Sequence, residues 1–270
     1  MSLKRKTNYM ANKLKKLAIV ISGWHYPMGF YSAMAKQQIP KGWTVDMFVV
    51  SHRDPKFAKL PEFEDSVRGE LDRKLYSKIA TQKDLEKLGF EYKEYPNTIG
   101  DWGNSNQWLD DHDYKDYDLF LFTHDDNMIL RYDMLKVVCE DMYPDNWLIL
   151  TNTVGVPAGS IRGSFEFFKK EMMKKLGGKF DLSETTLDRT GETKNPVSWT
   201  ELYDWNTTIT PLFNFLTKKK LWSKVIVFSP IYRVSIFVIE GERGTIASSQ
   251  TNNRPLEDEG IKWLQEQRII

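Results

Sequence analysis

The chain has 270 residues, a single cysteine and a formal net charge of +1 from 38 basic and 37 acidic side chains. This balance gives no overall positive field for nucleic acid, and one cysteine cannot form an internal disulfide, which favours a reducing compartment. Because 41% of the residues are hydrophobic and 28% are charged, wholesale disorder is excluded. We therefore expect a cytoplasmic globular protein that does not bind nucleic acid.

No targeting or membrane segment is evident. Residues 1–16 are basic and lack the apolar core of a signal peptide, so we expect a flexible arm. The most apolar later stretch, residues 221–239, contains Lys224, Pro230 and Arg233. Two charges and a proline argue against a transmembrane helix, and two strands around a turn fit better.

Apolar runs and helix-compatible segments alternate through the first 150 residues. The spacing of the first three elements is that of a βαβ unit, which predicts a parallel sheet. The predicted strands are 17–22, 45–51, 92–95, 117–122 and 147–151, and the predicted helices lie within 28–38, 53–89, 97–108 and 131–142. The sequence therefore predicts an α/β fold with an open, mostly parallel sheet flanked by helices.

The character of the chain changes after residue 151. The segment FEFFKKEMMKKL at 165–176 places apolar residues on one face of a helix, and Gly177 and Gly178 are expected to end that helix. Residues 181–200 are polar and turn-rich, which favours mobility. The remaining predictions are a helix within 206–220, strands at 225–228 and 232–239, and a polar tail with a short final helix after 251.

The most informative feature is HDDN at 124–127, directly after the most apolar predicted strand. In open α/β sheets, ligands bind beyond the carboxyl ends of the strands. Aspartate carboxylates suit Mg²⁺ or Mn²⁺, and such ions complete their shell with phosphate oxygens and water. Asp125 and Asp126 can therefore hold a metal ion against a diphosphate.

The same residues also have a plainer interpretation. Asp125 and Asp126 can simply cap the turn and the helix that follows, and an isolated acidic pair does this more often than it binds metal. His124 can be a third metal ligand, a phosphate contact or an ordinary half-buried ring. The pattern by itself leaves these alternatives open.

Several motifs follow one another in a characteristic order. The first half contains LAIVISGWHYP at 17–27, VDMFVVSHRD at 45–54, PNTIGDWGNSNQW at 96–108 and YDLFLFTHDDN at 117–127. The second half contains FKKEMMKKLGGKFD at 168–181 and WTELYDWN at 199–206. This order resembles GT-A-type nucleotide-sugar glycosyltransferases, particularly the family 2 group, in which a strand-end DxD motif binds metal and a later acidic motif supplies the base.

The resemblance implies a division of the chain. Residues 17–250 form one GT-A-like catalytic domain, with a nucleotide-sugar-binding half at 17–151 and an acceptor half at 152–250. Residues 251–270 form a tail. The implied activity is the metal-dependent transfer of a sugar, with inversion, from a nucleotide diphosphate sugar to a glycan or other hydroxyl acceptor. Mn²⁺ or Mg²⁺ would stabilise the departing diphosphate.

The resemblance also implies roles for individual residues. Asp204 is the expected catalytic base, with Glu201 as the competing candidate, and both also suit a solvated helix start. The metal and diphosphate residues are Asp126, Asp125 and His124. The residues expected at the nucleotide sugar are Gly23, Trp24, Tyr26, Asp54, Asp101 and Asn104, and those on the acceptor side are Gly177, Gly178, Asp181, Trp199 and Trp205.

Aromatic residues are prominent among these motifs. Trp24 and Tyr26 can stack on the base, although a core or interface position suits these rings equally well. Five of the nine tryptophans fall in or beside the motifs, which suggests a sugar-nucleotide cleft. They are Trp24, Trp102, Trp108, Trp199 and Trp205.

Two other functions compete with this interpretation. A metal-dependent phosphohydrolase could use two His-Asp pairs, 112–113 and 124–125, but these flank a strand that spans about 17–20 Å. A shared metal site is therefore not expected. A non-catalytic binding protein on a GT-A-like scaffold is the other alternative, because a fold does not fix a function.

Overall fold

The computed structural model describes residues 14–23, 26–51, 67–95, 100–151, 165–182, 210–227, 238–240, 261–263 and 265–268. The strands are β1 (Lys15–Gly23), β2 (Trp43–Ser51), β3 (Phe90–Glu94), β4 (Leu119–His124), β5 (Asn127–Ile129), β6 (Ile149–Thr151), β7 (Phe165–Lys169), β8 (Val225–Val227) and β9 (Val238–Glu240). The α-helices are α1 (Met28–Ala35), α2 (Val67–Leu75), α3 (Gln82–Lys87), α4 (Gly100–Asp111), α5 (Met134–Lys136), α6 (Lys170–Lys175) and α7 (Thr210–Lys218).

Seven strands form one open sheet in the order β3-β2-β1-β4-β7-β6-β8. Every neighbouring pair is parallel except the two that involve β7, which runs antiparallel to both β4 and β6. Strands from both halves of the chain thus enter the same sheet. The predicted fold class, an open and mostly parallel α/β sheet flanked by helices, is confirmed.

The central strands form because their side chains are apolar on both faces, as parallel strands covered by helices require. In β1, alternate residues enter two separate cores. Leu17, Ile19 and Ile21 contribute to the core that includes α1. Ala18 and Val20 contribute to the core that includes α4. The sheet is therefore a middle layer, and its two ends are the places where polar side chains collect.

The helix predicted over 165–176 is wrong in its first part. Phe165–Lys169 is a strand whose five residues are all buried, and only Lys170–Lys175 is helical. A helix on a protein surface needs one polar side, whereas a strand between two others packs both faces. Phe165 and Phe167 enter the core with α1, and Phe168 enters the opposite core. The position of β7 between β4 and β6 thus made this segment a strand, although its apolar residues have the spacing of a helix face.

Smaller differences concern the segment that follows the acidic residues. The predicted helix within 131–142 begins as α5 and continues as a π-helix over Val137–Met142. Strand β5, which was not predicted, pairs antiparallel with β9 in a second sheet, with Asn127 opposite Glu240. Residues 238–240 thus return to the acidic turn. In the described part of the chain, no helix combines the length and the apolar character needed to cross a membrane.

Candidate functional site

Polar side chains collect at the carboxyl edge of the sheet. The last residues of β2, β4 and β6 are Ser51, His124 and Thr151. Ser51 and Thr151 are buried, and Ser22, which precedes the last residue of β1, is 6% exposed. β1 and β4 lie side by side with Ser22 opposite His124. The predicted ligand-binding edge is therefore polar in a sheet that is otherwise apolar.

The acidic motif forms a tight turn at this edge. Asp125 and Asp126 connect β4 to β5, and Asn127 is the first residue of β5. The buried Asn127 amide donates to Oγ1 of Thr123 (3.3 Å) and to the carbonyl oxygen of His124 (3.2 Å). Asparagine at this position closes the turn, so the two aspartates have fixed and different directions.

Asp125 points into the protein. Its side chain is fully buried, and Oδ2 accepts a hydrogen bond from the backbone N–H of Tyr26 (2.7 Å) and another from the hydroxyl of Tyr31 (3.0 Å). Asp125 therefore joins the turn after β4 to the segment between β1 and α1. The sequence predicted this residue at the metal and the diphosphate, whereas its observed contacts are to the protein.

Asp126 and His124 form the more accessible part of the turn. Oδ1 of Asp126 lies 3.8 Å from Nδ1 of His124, and their side chains are 11% and 12% exposed. A carboxylate and an imidazole are a suitable donor pair for Mn²⁺. Among the described residues, no group of three His, Cys, Asp or Glu side chains is placed to hold a metal ion. A metal ion bound by this pair would need its remaining ligands from phosphate and water.

The last residue of β1 is packed tightly between β2 and Tyr26. A Cβ at Gly23 would lie 2.8 Å from Cγ1 of Val49 and 3.0 Å from the Tyr26 hydroxyl oxygen, so only glycine fits there. Tyr26 is 2% exposed, and its ring stacks on that of Tyr31 with the centroids 6.3 Å apart. Stacking on a nucleotide base needs an exposed ring face, so the structure gives Tyr26 a supporting role.

A hydrogen-bond chain links the ends of the first three strands. The Tyr26 hydroxyl bonds to Oγ of Ser51, which lies 2.8 Å from the Tyr92 hydroxyl. Tyr92 in turn donates to Oε1 of Glu94 at 2.8 Å. A carboxylate only accepts, which fixes the direction of donation from Tyr26 outward. Ser51 was missed by the sequence analysis, because a serine at a strand end carries no distinctive signal.

Asn104 is the predicted ligand residue with the clearest structural signature. Its side chain is 1% exposed, and among the described residues neither amide atom has a hydrogen-bond partner. Buried amides are rarely left unpaired, and an unsatisfied one calls for water or a ligand. Asn104 lies one turn before Trp108 on α4, so both face the sheet. The Trp108 ring contacts Tyr117, just before β4, which places Asn104 nearer the carboxyl edge.

The predicted tryptophan cleft is not formed by the two described members of that group. Trp102 and Trp108 are 1% and 2% exposed and belong to the core between α4 and the sheet. Trp102 packs against Phe180 with ring centroids 4.3 Å apart, and Trp108 against Phe48 at 5.1 Å. Large apolar rings on the sheet-facing side of a helix are used for burial, and these two have no face open to a sugar.

The predicted acceptor segment runs along α4. Gly178 lies against the Tyr114 ring, and Lys179 contacts Asp110. Phe180 is held at both its N–H and its carbonyl by the amide of Asn106, with both distances 2.9 Å. The segment thus runs from the last turn of α4 back toward its first. This direction leads Asp181, which is exposed, toward the carboxyl edge of the sheet.

The two glycines of this segment allow a matched stability test. Both have positive φ, +78° at Gly177 and +90° at Gly178, but only at Gly178 would a Cβ meet the Tyr114 ring, at 2.9 Å. Gly177→Ala is expected to cost about 1 kcal/mol of unfolding free energy from backbone strain alone, and Gly178→Ala about 2–3 kcal/mol from strain and overlap. Urea denaturation measures both, and equal losses would contradict the steric argument.

Glu166 is a second residue that the sequence analysis missed. It lies on β7, is fully buried, and its Oε1 accepts a hydrogen bond from Oγ1 of Thr151 at 3.3 Å. Its partner on the neighbouring strand β4 is Phe122, which lies two residues before His124. A buried carboxylate is costly unless it is paired or hydrogen-bonded, and the Thr151 hydroxyl supplies one such hydrogen bond. The sequence did contain an indication, because Glu166 is the only charged residue in the run FEFF at 165–168. It was overlooked because the segment was interpreted as a helix, in which Glu166 could face solvent.

The remaining predicted residues are placed as follows. Asp101 lies in the first turn of α4. Those that lie outside the described residues are Trp24, Asp54, Trp199, Glu201, Asp204 and Trp205. The phosphohydrolase alternative has no support among the described residues, because His112 stacks on Trp108 at 4.4 Å, beyond the far end of β4 from His124.

Comparisons with known proteins give matches among solved structures only. No protein-family model matches the sequence, and no curated protein matches it. The structure is similar to the mannosyltransferase PcManGT from Pyrobaculum calidifontis, solved in complex with GDP-Man and Mn²⁺. The TM-score is 0.48 and the identity 12%, over 92% of this chain and 64% of that one. The chain thus spans less than two thirds of that protein.

Two further structures are similar. A cytidylyltransferase from Leptospira borgpetersenii serovar Hardjo-bovis gives a TM-score of 0.42 at 12% identity, over 95% of this chain and 97% of that one. The glycosyltransferase GlyE in Streptococcus pneumoniae gives 0.37 at 7% identity, over 79% and 45% of the two chains.

Proposed function

We propose that the chain is a metal-dependent glycosyltransferase that moves a sugar, with inversion, from a nucleotide diphosphate sugar to an acceptor hydroxyl. The observation that carries the proposal is the acidic turn at the end of β4, where Asp126 lies beside His124 at the polar edge of the sheet. This is the edge at which open α/β sheets bind ligands. Mn²⁺ or Mg²⁺, when bound, would neutralise charge on the diphosphate leaving group.

The donor would lie between the acidic turn and α4. Asp126 and His124 would hold the metal, and the buried amide of Asn104 would bond to the ribose or the diphosphate. Gly23 permits the close approach of the segment after β1 to β2, and Trp24, which follows it, is the candidate for stacking on the base. These groups orient the donor and exclude water from it.

The acceptor would approach from the second half of the chain. The segment Gly177–Asp181 leads along α4 toward the carboxyl edge, and the motif at 199–206 follows it in the sequence. Asp204 would accept the proton of the attacking hydroxyl, and Glu201 is the alternative base. Trp199 and Trp205 flank these acids and suit the apolar faces of a sugar ring.

A donor screen by thermal shift tests the proposal. The full chain is heated with UDP-, GDP- and dTDP-sugars, with and without Mn²⁺, and one nucleotide class is expected to raise the melting temperature in a metal-dependent way. No shift with any of them would favour a binding protein of another kind. A response to CTP alone would point instead to nucleotidyl transfer.

The base assignment has its own test once a donor is known. Asp204→Asn is expected to lower kcat by about 10²–10⁴-fold while donor binding is retained, because a general base acts on the acceptor and not on the donor. Glu201→Gln is the matched variant and should keep most of the activity. The reverse result assigns the base to Glu201, and full activity in both variants would reject the motif.

A further inference from the structure

Two adjacent aspartates in the turn after β4 have different surroundings. The side chain of Asp126 is 11% exposed and lies beside His124, whereas Asp125 has no exposed surface. Oδ2 of Asp125 accepts from the Tyr26 N–H and the Tyr31 hydroxyl, and these partners lie 99 and 94 residues away in the sequence. One carboxylate oxygen thus joins the turn to both helix α1 and the loop residues that directly precede it, Tyr26 and Pro27.

The backbone of Tyr26 is held from the other side as well. Its carbonyl accepts from the Ala80 N–H at 2.7 Å, and the N–H of Met28 donates to the Lys78 carbonyl at 2.8 Å. Tyr26 also has φ of +54°, a conformation that non-glycine residues adopt only when their surroundings impose it. Of these hydrogen bonds, the one from the Tyr26 N–H to Asp125 is the one that ties Tyr26 to the acidic turn.

We propose that Asp125 is a positioning residue that fixes Tyr26 and Pro27, the loop residues before α1, beside the acidic turn before a ligand binds. The two aspartates would then have different roles. Asp126 would bind the metal, and Asp125 would hold the loop beside which a nucleoside diphosphate binds. Turning Asp125 toward a metal would take a charged acceptor away from two buried donors, which is costly. The ligand's identity rests on the proposed function, whereas the ordering of the loop does not.

Tyr31 allows the role to be tested without touching a ligand. Its side chain is fully buried, so Tyr31→Phe removes only the hydroxyl that donates to Asp125. The ring remains packed edge-on against Phe90, with the centroids 5.3 Å apart. Tyr117→Phe is the matched control, because Tyr117 is also buried but precedes β4 at the opposite edge of the sheet.

Hydrogen exchange on the full chain without ligand measures the ordering directly. In Tyr31→Phe the amides of Tyr26 and of residues 28–31 are expected to exchange about 3- to 10-fold faster, which corresponds to one lost hydrogen bond, and those of β2 should be unchanged. Asp125→Asn should give the larger effect, and Asp126→Asn none. Unchanged exchange at 26–31 in Tyr31→Phe, or an equal increase in Tyr117→Phe, would overturn the proposal.

Nucleotide affinity separates this proposal from the proposed function. With the nucleoside diphosphate that binds best, Tyr31→Phe should raise Kd about 3- to 10-fold equally with and without Mn²⁺, because the loop and not the metal is affected. An increase in Kd seen only with Mn²⁺ would indicate that Asp125 acts at the metal site, and it would overturn the proposal. If no nucleoside diphosphate binds the unaltered chain, the proposed function fails, and the exchange result still decides the positioning role.

Discussion

Asp126→Asn is expected to abolish the proposed metal-dependent part of nucleotide binding and to lower the proposed transferase activity about 10²–10³-fold. Asparagine keeps the size of the side chain but removes the negative charge that a divalent cation needs, and a bound metal contributes several kcal/mol to the stabilisation of a charged leaving group. The measurements are the Mn²⁺-dependent thermal shift with the donor, and kcat with the donor and acceptor. Because asparagine has nearly the same size and shape and Asp126 lies in a turn, the fold is expected to survive.

The control for this variant removes the same charge elsewhere. Asp116→Asn changes an exposed carboxylate just before β4, at the opposite edge of the sheet, and should leave both measurements unchanged. Mn²⁺-dependent binding that persists in Asp126→Asn would place the metal on other residues. Equal losses in Asp126→Asn and Asp116→Asn would show that net charge, and not a local site, attracts the ligand.

Trp102→Ala is expected to lower the free energy of unfolding by about 3–5 kcal/mol. The ring is 1% exposed and packs against Phe180 at 4.3 Å and Phe168 at 5.9 Å, so its removal leaves a large cavity between α4, β7 and the acceptor segment. Urea denaturation measures the loss. The fraction of molecules that remains folded should bind the donor with nearly unchanged affinity, because the ring has no face open to a ligand.

Trp263→Ala is the matched control for this loss. Trp263 is 41% exposed, so the same change of side chain should cost less than about 1 kcal/mol. A small effect of Trp102→Ala on stability together with a large effect on donor affinity would contradict the core assignment. That result would instead place Trp102 in the sugar-nucleotide cleft that the distribution of tryptophans suggested.

Much of the fold could be predicted because local chemistry and tertiary position agree. The run LAIVIS is apolar and β-branched, and a parallel strand covered on both faces needs that composition, so β1 was found to within two residues. The same agreement located β4 and the acidic turn after it. The end of α6 was also predicted correctly, because Gly177 and Gly178 adopt the positive φ that glycine permits.

Predictions were wrong where a distant part of the chain decided the outcome. FEFF at 165–168 has the spacing of a helix face, but an open position between β4 and β6 made it a strand packed on both faces. Trp102 stands beside a ligand motif in the sequence, but α4 turns it toward the sheet. In both cases the local pattern suits two structures, and only burial against other elements selects one of them.

The acidic pair shows this division most clearly. The sequence by itself determined that two carboxylates follow an apolar strand, and therefore that they stand at the carboxyl edge of the sheet. Only the tertiary structure decided that Asp125 turns inward to Tyr26 and Tyr31 while Asp126 stays beside His124. The physical reason is that adjacent residues in a turn face different ways, and the donors that draw Asp125 inward come from a segment about a hundred residues earlier.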